Sequence, residues 1–182
     1  MKILGKKIIS KSKYLNFVAR EFINQNGEND FWYSAERPNS GKTVIVAATV
    51  DDKIVVTKEF RVAIDDYEWS LPAGLVDGNE KPEETAIREL KEETNLDVEK
   101  VISVSPYLYN TAGMTNEVVS IVFVKAGGTI NQLANESSEE IKTFLMNKSD
   151  IQNLINDRNK KFSAKAWLIF DRFIKEGISF SE

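Results

Sequence analysis

Three glutamates, Glu89, Glu92 and Glu93, lie close together in the segment Gly74 to Leu96, GLVDGNEKPEETAIRELKEETNL. On a helix that advances by about 100° per residue, Glu92 falls roughly 60° to one side of Glu89 and Glu93 roughly 40° to the other. Ala86, Ile87, Leu90 and Thr94 form the neighbouring apolar stripe. The carboxylates therefore border a buried face. Like charges at i, i+4 repel, and Glu89 and Glu93 are such a pair. A divalent cation reverses the sign of that interaction, and carboxylate oxygen is the donor that Mg²⁺ prefers. The plainer alternative is a solvated acidic helix with Arg88 paired to Glu92. Cysteine and histidine are both absent from the chain. That excludes disulfides, thiol nucleophiles, cysteine or histidine zinc sites and Ser-His-Asp catalysis. What remains is chemistry on carboxylates, Lys, Arg, Tyr and hydroxyls, with a hard metal.

The elements that must carry these residues follow from local signals. Pro82 suits a first helical turn, and Glu83 and Glu84 sit where the helix dipole favours anions. Asn95 tolerates the left-handed conformation that closes a helix. The expected helix is Pro82 to Thr94. Further helices are expected over Asp150 to Asn156 and Ala164 to Glu176, the last with a stripe of Trp167, Phe170 and Ile174. Thr43 to Val50 (TVIVAATV) reads as a buried central strand. Asp51-Asp52 turns it into a hairpin partner, Lys53 to Phe60. Val101 to Ser105 and Val118 to Val124 are further strands. Residues 1–40 alternate short apolar and polar stretches, such as Tyr14 to Val18 and Phe31 to Tyr33, broken at Asn26-Gly27 and Pro38 to Gly41. The expected class is α+β: a mixed sheet between helices, residues 41–182, preceded by a small antiparallel β subdomain, residues 1–40.

The chain has 182 residues, 42% hydrophobic and 29% charged, enough for a real core. Net charge is −4, which disfavours binding nucleic acid through bulk positive charge. No apolar run reaches the length of a membrane span, and the basic start lacks the apolar block of a signal peptide. A cytoplasmic location is the expectation, with neither membrane nor nucleic acid as partner.

Gly74, five residues, Glu80, seven residues and then Arg88-Glu89-Leu90-x-Glu92-Glu93-x-Asn95-Leu96 resembles the signature of the Nudix hydrolases. One position departs: the family has Gly where this chain has Asn95. The resemblance implies a Nudix fold and hydrolysis of a nucleoside diphosphate linked to another group. It implies Mg²⁺ or Mn²⁺ held by Glu89, Glu92, Glu93 and the carbonyl of Ala73. Arg88 would orient the carboxylates, Glu80 would support the loop, and Gly74 and Asn95 would be structural.

More of the chain resembles the ADP-ribose and ADP-sugar pyrophosphatases. Glu59-Phe60-Arg61 followed by Leu71-Pro72-Ala73-Gly74-Leu75-Val76-Asp77 is similar to one stretch of that branch, with Glu59 in place of Gln. Trp32 to Arg37 resembles the segment that carries an adenine-stacking Trp and a substrate-binding Arg. Trp32 can serve as a stacking platform or as packing. Arg37 and Arg61 can contact the substrate or form surface ion pairs. Thr111 to Glu117 resembles a substrate loop in which Glu117 shapes the site, but Ala112 stands where the ADP-ribose branch has its marker Pro. The resemblance places the catalytic base at Glu139 in the acidic stretch Asn135 to Ile141, with Glu140 and Glu136 as runners-up. It also implies a homodimer in which the N-terminal strands are exchanged; strands packed on their own subunit are the alternative. A nucleotide-sugar substrate such as ADP-ribose is the leading expectation. GDP-mannose, NADH, a dinucleoside polyphosphate or a damaged nucleotide are the alternatives, as is a nucleotide-sensing module without catalysis.

Overall fold

The computed structural model describes residues 1–38, 41–131 and 140–177. The strands are β1 (Lys2–Ser10), β2 (Asn16–Ile23), β3 (Asn29–Glu36), β4 (Lys42–Val50), β5 (Lys53–Arg61), β6 (Asp66–Ser70), β7 (Ala73–Leu75), β8 (Asp97–Val104), β9 (Leu108–Tyr109), β10 (Val118–Gly127), β11 (Ile141–Met146) and β12 (Lys161–Phe162). The helices are α1 (Pro82–Thr94), α2 (Lys148–Asn156) and α3 (Ala164–Glu176). They group into two compact units, Met1–Thr43 with Tyr107–Ser120, and Val44–Pro106 with Ile121–Glu182. No helix among the described residues is long and apolar enough to cross a membrane.

In the larger unit the sheet runs β12-β6-β5-β4-β10-β8, with β11 also paired to β5 and β7 to β4. It is mixed: β12 lies parallel to β6, while β5 runs antiparallel to β4, β6 and β11. Val44 to Ala48 on β4 is buried at every position, as a strand covered on both faces must be. One core joins Val44, Val46, Ala48 and Val55 with Val122 and Val124 of β10 and with Ala86, Leu90 and Leu96. This packing seats α1 on the sheet. Asp51 takes the hairpin turn at φ 52, a left-handed conformation that Asp tolerates.

Two apolar stripes are rotated from their expected positions. On α1 the buried residues are Thr85, Ala86, Leu90 and Thr94, and Ile87 is 46% exposed. On α3 they are Ala166, Ile169, Phe170 and Phe173, an i, i+3, i+4, i+7 series, while Trp167 is exposed at the edge. Helix α2 starts two residues before its expected start because Asn147 caps it, accepting the Asp150 amide.

In the smaller unit β1, β2 and β3 form an antiparallel sheet. Directly paired residues share a face. Phe17, Tyr33 and Phe31 therefore share one face, each about half exposed, with Phe17 and Tyr33 stacked 5.8 Å apart. On the other face Glu36 is buried and takes hydrogen bonds from Lys6, at 2.9 Å, and from Arg20. Burial pushes the Glu36 carboxyl up, but these two cations outweigh it and hold it below the ordinary carboxylate value. A lowered folded pKa stabilises above the unfolded value of 4.5, and that stability is lost as pH falls through the folded one. Urea unfolding at pH 7 should show Glu36→Gln less stable than wild type by about 1–2 kcal/mol, a gap that narrows as the pH falls below 4.5 and through the lowered folded pKa.

Candidate active site

The acidic cluster is built where α1 meets β7. Pro82 opens the helix, and the carboxylate of Glu84 accepts the Lys81 amide at 2.8 Å. Asn95 closes it at φ 64. Glu89 and Glu93, one turn apart, bracket the backbone of β7. Glu93 Oε1 lies 3.5 Å from the Ala73 amide, and a Cβ placed on Gly74 would fall inside the Glu89 carboxylate. Only glycine admits Glu89 there, by closeness of approach rather than by an unusual φ. The Thr143 hydroxyl of β11 donates to the Glu93 carbonyl at 3.2 Å and ties this turn of α1 to the sheet.

Arg88 organises the cluster. Its guanidinium grips Glu80 with two bonds of 3.1 Å, donates to Glu89 at 2.7 Å and Glu92 at 3.1 Å, and reaches the Leu75 carbonyl at 3.0 Å. Hydrogen bonds from Arg88 and then Thr85 pull the Glu80 carboxyl down to about 2. The two bonds to Glu80, with the one to Glu89, push Arg88 above its ordinary value. Glu89 moves the other way: burial pushes its carboxyl up despite Arg88. Glu92 is exposed. Among the described residues no three carboxylates stand close enough to close a metal site in this arrangement, in which Arg88 supplies the positive charge.

The remaining residues singled out in the sequence fall into separate places. Arg61 pairs with Glu59 at 2.6 Å and Glu68 at 3.2 Å. Glu140 is not brought to the acidic cluster; its carboxylate accepts the Tyr67 hydroxyl at 2.6 Å. Glu139 and Glu136 lie outside the described residues. In the smaller unit Trp32 donates its indole N–H to the Gly113 carbonyl at 2.9 Å and leaves its ring 53% exposed. Arg37 pairs with Glu117 at 2.7 Å, and Glu117 also accepts from Asn110 at 2.8 Å. The Ala35 amide donates to the Met114 carbonyl, so β3 holds the loop that carries Ala112 and Glu117.

A NUDIX domain model matches residues 39–168. The chain belongs to the Nudix family. Over 97% of its length it is 24% identical to an ADP-ribose pyrophosphatase of Bacillus subtilis, covering 95% of that protein. It is 33% identical to an ADP-ribose pyrophosphatase of Saccharomyces cerevisiae over 65% of this chain and 55% of that one. A crystal structure of an ADP compounds hydrolase superposes with a TM-score of 0.77 at 21% identity, over 96% of this chain and 94% of that one, and shares the fold.

As a Nudix hydrolase, the chain holds its box together with residues that the motif spacing does not mark. Thr85 donates to Glu80 at 2.8 Å and Thr143 holds Glu93; outside the box, Tyr67 holds Glu140. Thr85 lies within the 23-residue stretch, but the other two come from strands distant in sequence and give no local signal. The Gly74 contact makes a direct prediction. Gly74→Ala must displace the Glu89 carboxylate, but that is the free end of a flexible side chain, so thermal melts should show a loss of no more than about 1 kcal/mol, below the range typical of core overpacking.

Proposed function

We propose that this Nudix hydrolase cleaves the diphosphate of a nucleoside diphosphate sugar, ADP-ribose or a near relative, giving a nucleoside monophosphate and a sugar phosphate. The observation that carries the reading is the pairing of Glu89 and Glu93 around Ala73-Gly74. The near full-length similarity to an ADP-ribose pyrophosphatase supports the substrate class.

The donor set suits a hard divalent ion. Glu89 is a carboxylate made costly by burial, and a cation beside it relieves that cost. Glu89, Glu93, the more exposed Glu92 and the Ala73 carbonyl are the groups proposed to hold Mg²⁺, or Mn²⁺ in its place. When bound, the ion neutralises the diphosphate and lowers the pKa of the attacking water. Arg88 fixes the rotamers of Glu89 and Glu92 through its bonds to both. Arg61 and Arg37 are proposed to meet phosphate or ribose oxygens, Trp32 to stack on the base and Glu117 to shape the substrate loop. Glu139 is proposed to take the proton of the attacking water. Ala112 favours a second reading, in which the chemistry stands but the group beyond the diphosphate differs. The half-exposed face of Phe17, Phe31 and Tyr33 supports a homodimer that buries it.

With Mg²⁺, ADP-ribose should release AMP, and excess EDTA should abolish the release. Absence of turnover across ADP-ribose, GDP-mannose, NADH and dinucleoside polyphosphates would sink the proposal. Glu93→Gln should lower kcat by a factor of about 10²–10⁴ with little change in melting temperature, since a neutral isostere keeps the shape but not the charge. Light scattering should give twice the mass of one chain, and Phe31→Glu should shift the protein towards the monomer.

A further inference from the structure

Glu59 and Glu68 stand directly opposite each other on β5 and β6, a placement in which like charges repel. Arg61 bridges them. Its Nη1 donates to Glu59 at 2.6 Å and its Nε to Glu68 at 3.2 Å, while Nη2 has no partner among the described residues. The guanidinium is also the most open of the three groups, with the Arg61 side chain 43% exposed against 14% for Glu59 and 24% for Glu68. Side chains alternate between the two faces of a strand, and directly paired residues share a face. Thr57, Glu59 and Arg61 therefore lie on one face with Ile141 and Thr143 of β11. Thr143 reaches the Glu93 carbonyl at 3.2 Å, so this face looks towards α1. Thr57 pairs with Thr143, and Arg61 lies about 13 Å further along β5. An extended nucleoside or sugar reaches that far from a diphosphate seated at Glu89 and Glu93.

Two carboxylates against one guanidinium leave the trio with one negative charge in excess. We propose that Glu59, Arg61 and Glu68 select the group at one end of the substrate, accepting an uncharged, hydroxyl-bearing sugar and rejecting one that carries a further phosphate. Nη2 of Arg61 donates to a sugar oxygen, and the carboxylates have lone pairs left for sugar hydroxyls. A phosphate meets the same Nη2 but also the excess negative charge. Glu59 is the specificity-determining member. It holds Arg61, and as the least exposed of the three its charge is the least screened by water. This rests on the pyrophosphatase reading above, in which the diphosphate is bound at the acidic cluster.

The test compares ADP-ribose with ADP-ribose carrying one extra phosphate, on the adenosine ribose or on the terminal ribose. It is read by kcat and KM with Mg²⁺ in wild type and in Glu59→Gln. Wild type should prefer ADP-ribose to at least one phosphorylated form by about tenfold or more, and added salt should narrow that preference. Glu59→Gln keeps an acceptor oxygen for Arg61 and removes the excess charge. It should raise kcat/KM on the rejected form by about 5-fold relative to ADP-ribose, through KM. Structural damage would lower both substrates, so a gain on one of them reports selection. Equal kcat/KM on all three compounds in wild type would overturn the proposal without any variant, and so would an unchanged ratio in Glu59→Gln. If wild type cleaves none of them, the pyrophosphatase reading fails on its own. Calorimetric binding of the same compounds then decides the selection: weaker binding of a phosphorylated form that Glu59→Gln restores supports it, and equal or absent binding overturns it.

Discussion

Carboxylates gathered on one helical turn repel each other, and a single guanidinium lets them stay together. Arg88 touches Glu80, Glu89 and Glu92 at once. Its planar fork suits the bidentate grip on Glu80, which the ammonium of lysine could not reproduce. Glu80 gains most from the arrangement and is held strongly ionised, whereas Glu89 remains disfavoured as an anion because burial outweighs its one bond to Arg88. This asymmetry divides the roles. One carboxylate is satisfied and serves as scaffold, and the other keeps an appetite for positive charge.

The second constraint is steric. Glu89 reaches the backbone of β7 only because Gly74 has no side chain. Helix and strand approach closely at this point. The buried contacts of Ala86, Leu90 and Leu96 with β4 and β10 hold them there. The helix ends are fixed as well, by Glu84 at the start and by the left-handed Asn95 at the close. Packing and capping thus serve electrostatics, since a helix free to slide would lose the Glu89 and Glu93 contacts together.

Much of this was legible in the chain. Pro82 and Asn95 marked the ends of α1, and the TVIVAATV run marked β4, because both signals are local. The buried stripe of α3 was misread because Trp167 is its largest apolar residue, and size is not burial: an edge position leaves part of a large ring in water. Strand β1 gave almost no period-two pattern, since nearly all of KILGKKIIS is exposed. The Tyr67–Glu140 bond was illegible for another reason. It joins residues far apart in the chain through a strand pairing, β11 on β5, that no short pattern encodes.

Trp32 has one further consequence. Its indole is tied at the nitrogen and open at the ring, whereas Trp69 is shielded within the larger unit. Light absorbed by Trp32 is emitted from an environment half made of water, and any flat molecule that settles on the ring will alter that emission. In the stacking role proposed for Trp32, the chain would carry its own optical probe of ligand capture, read over the emission of Trp167, which is also exposed.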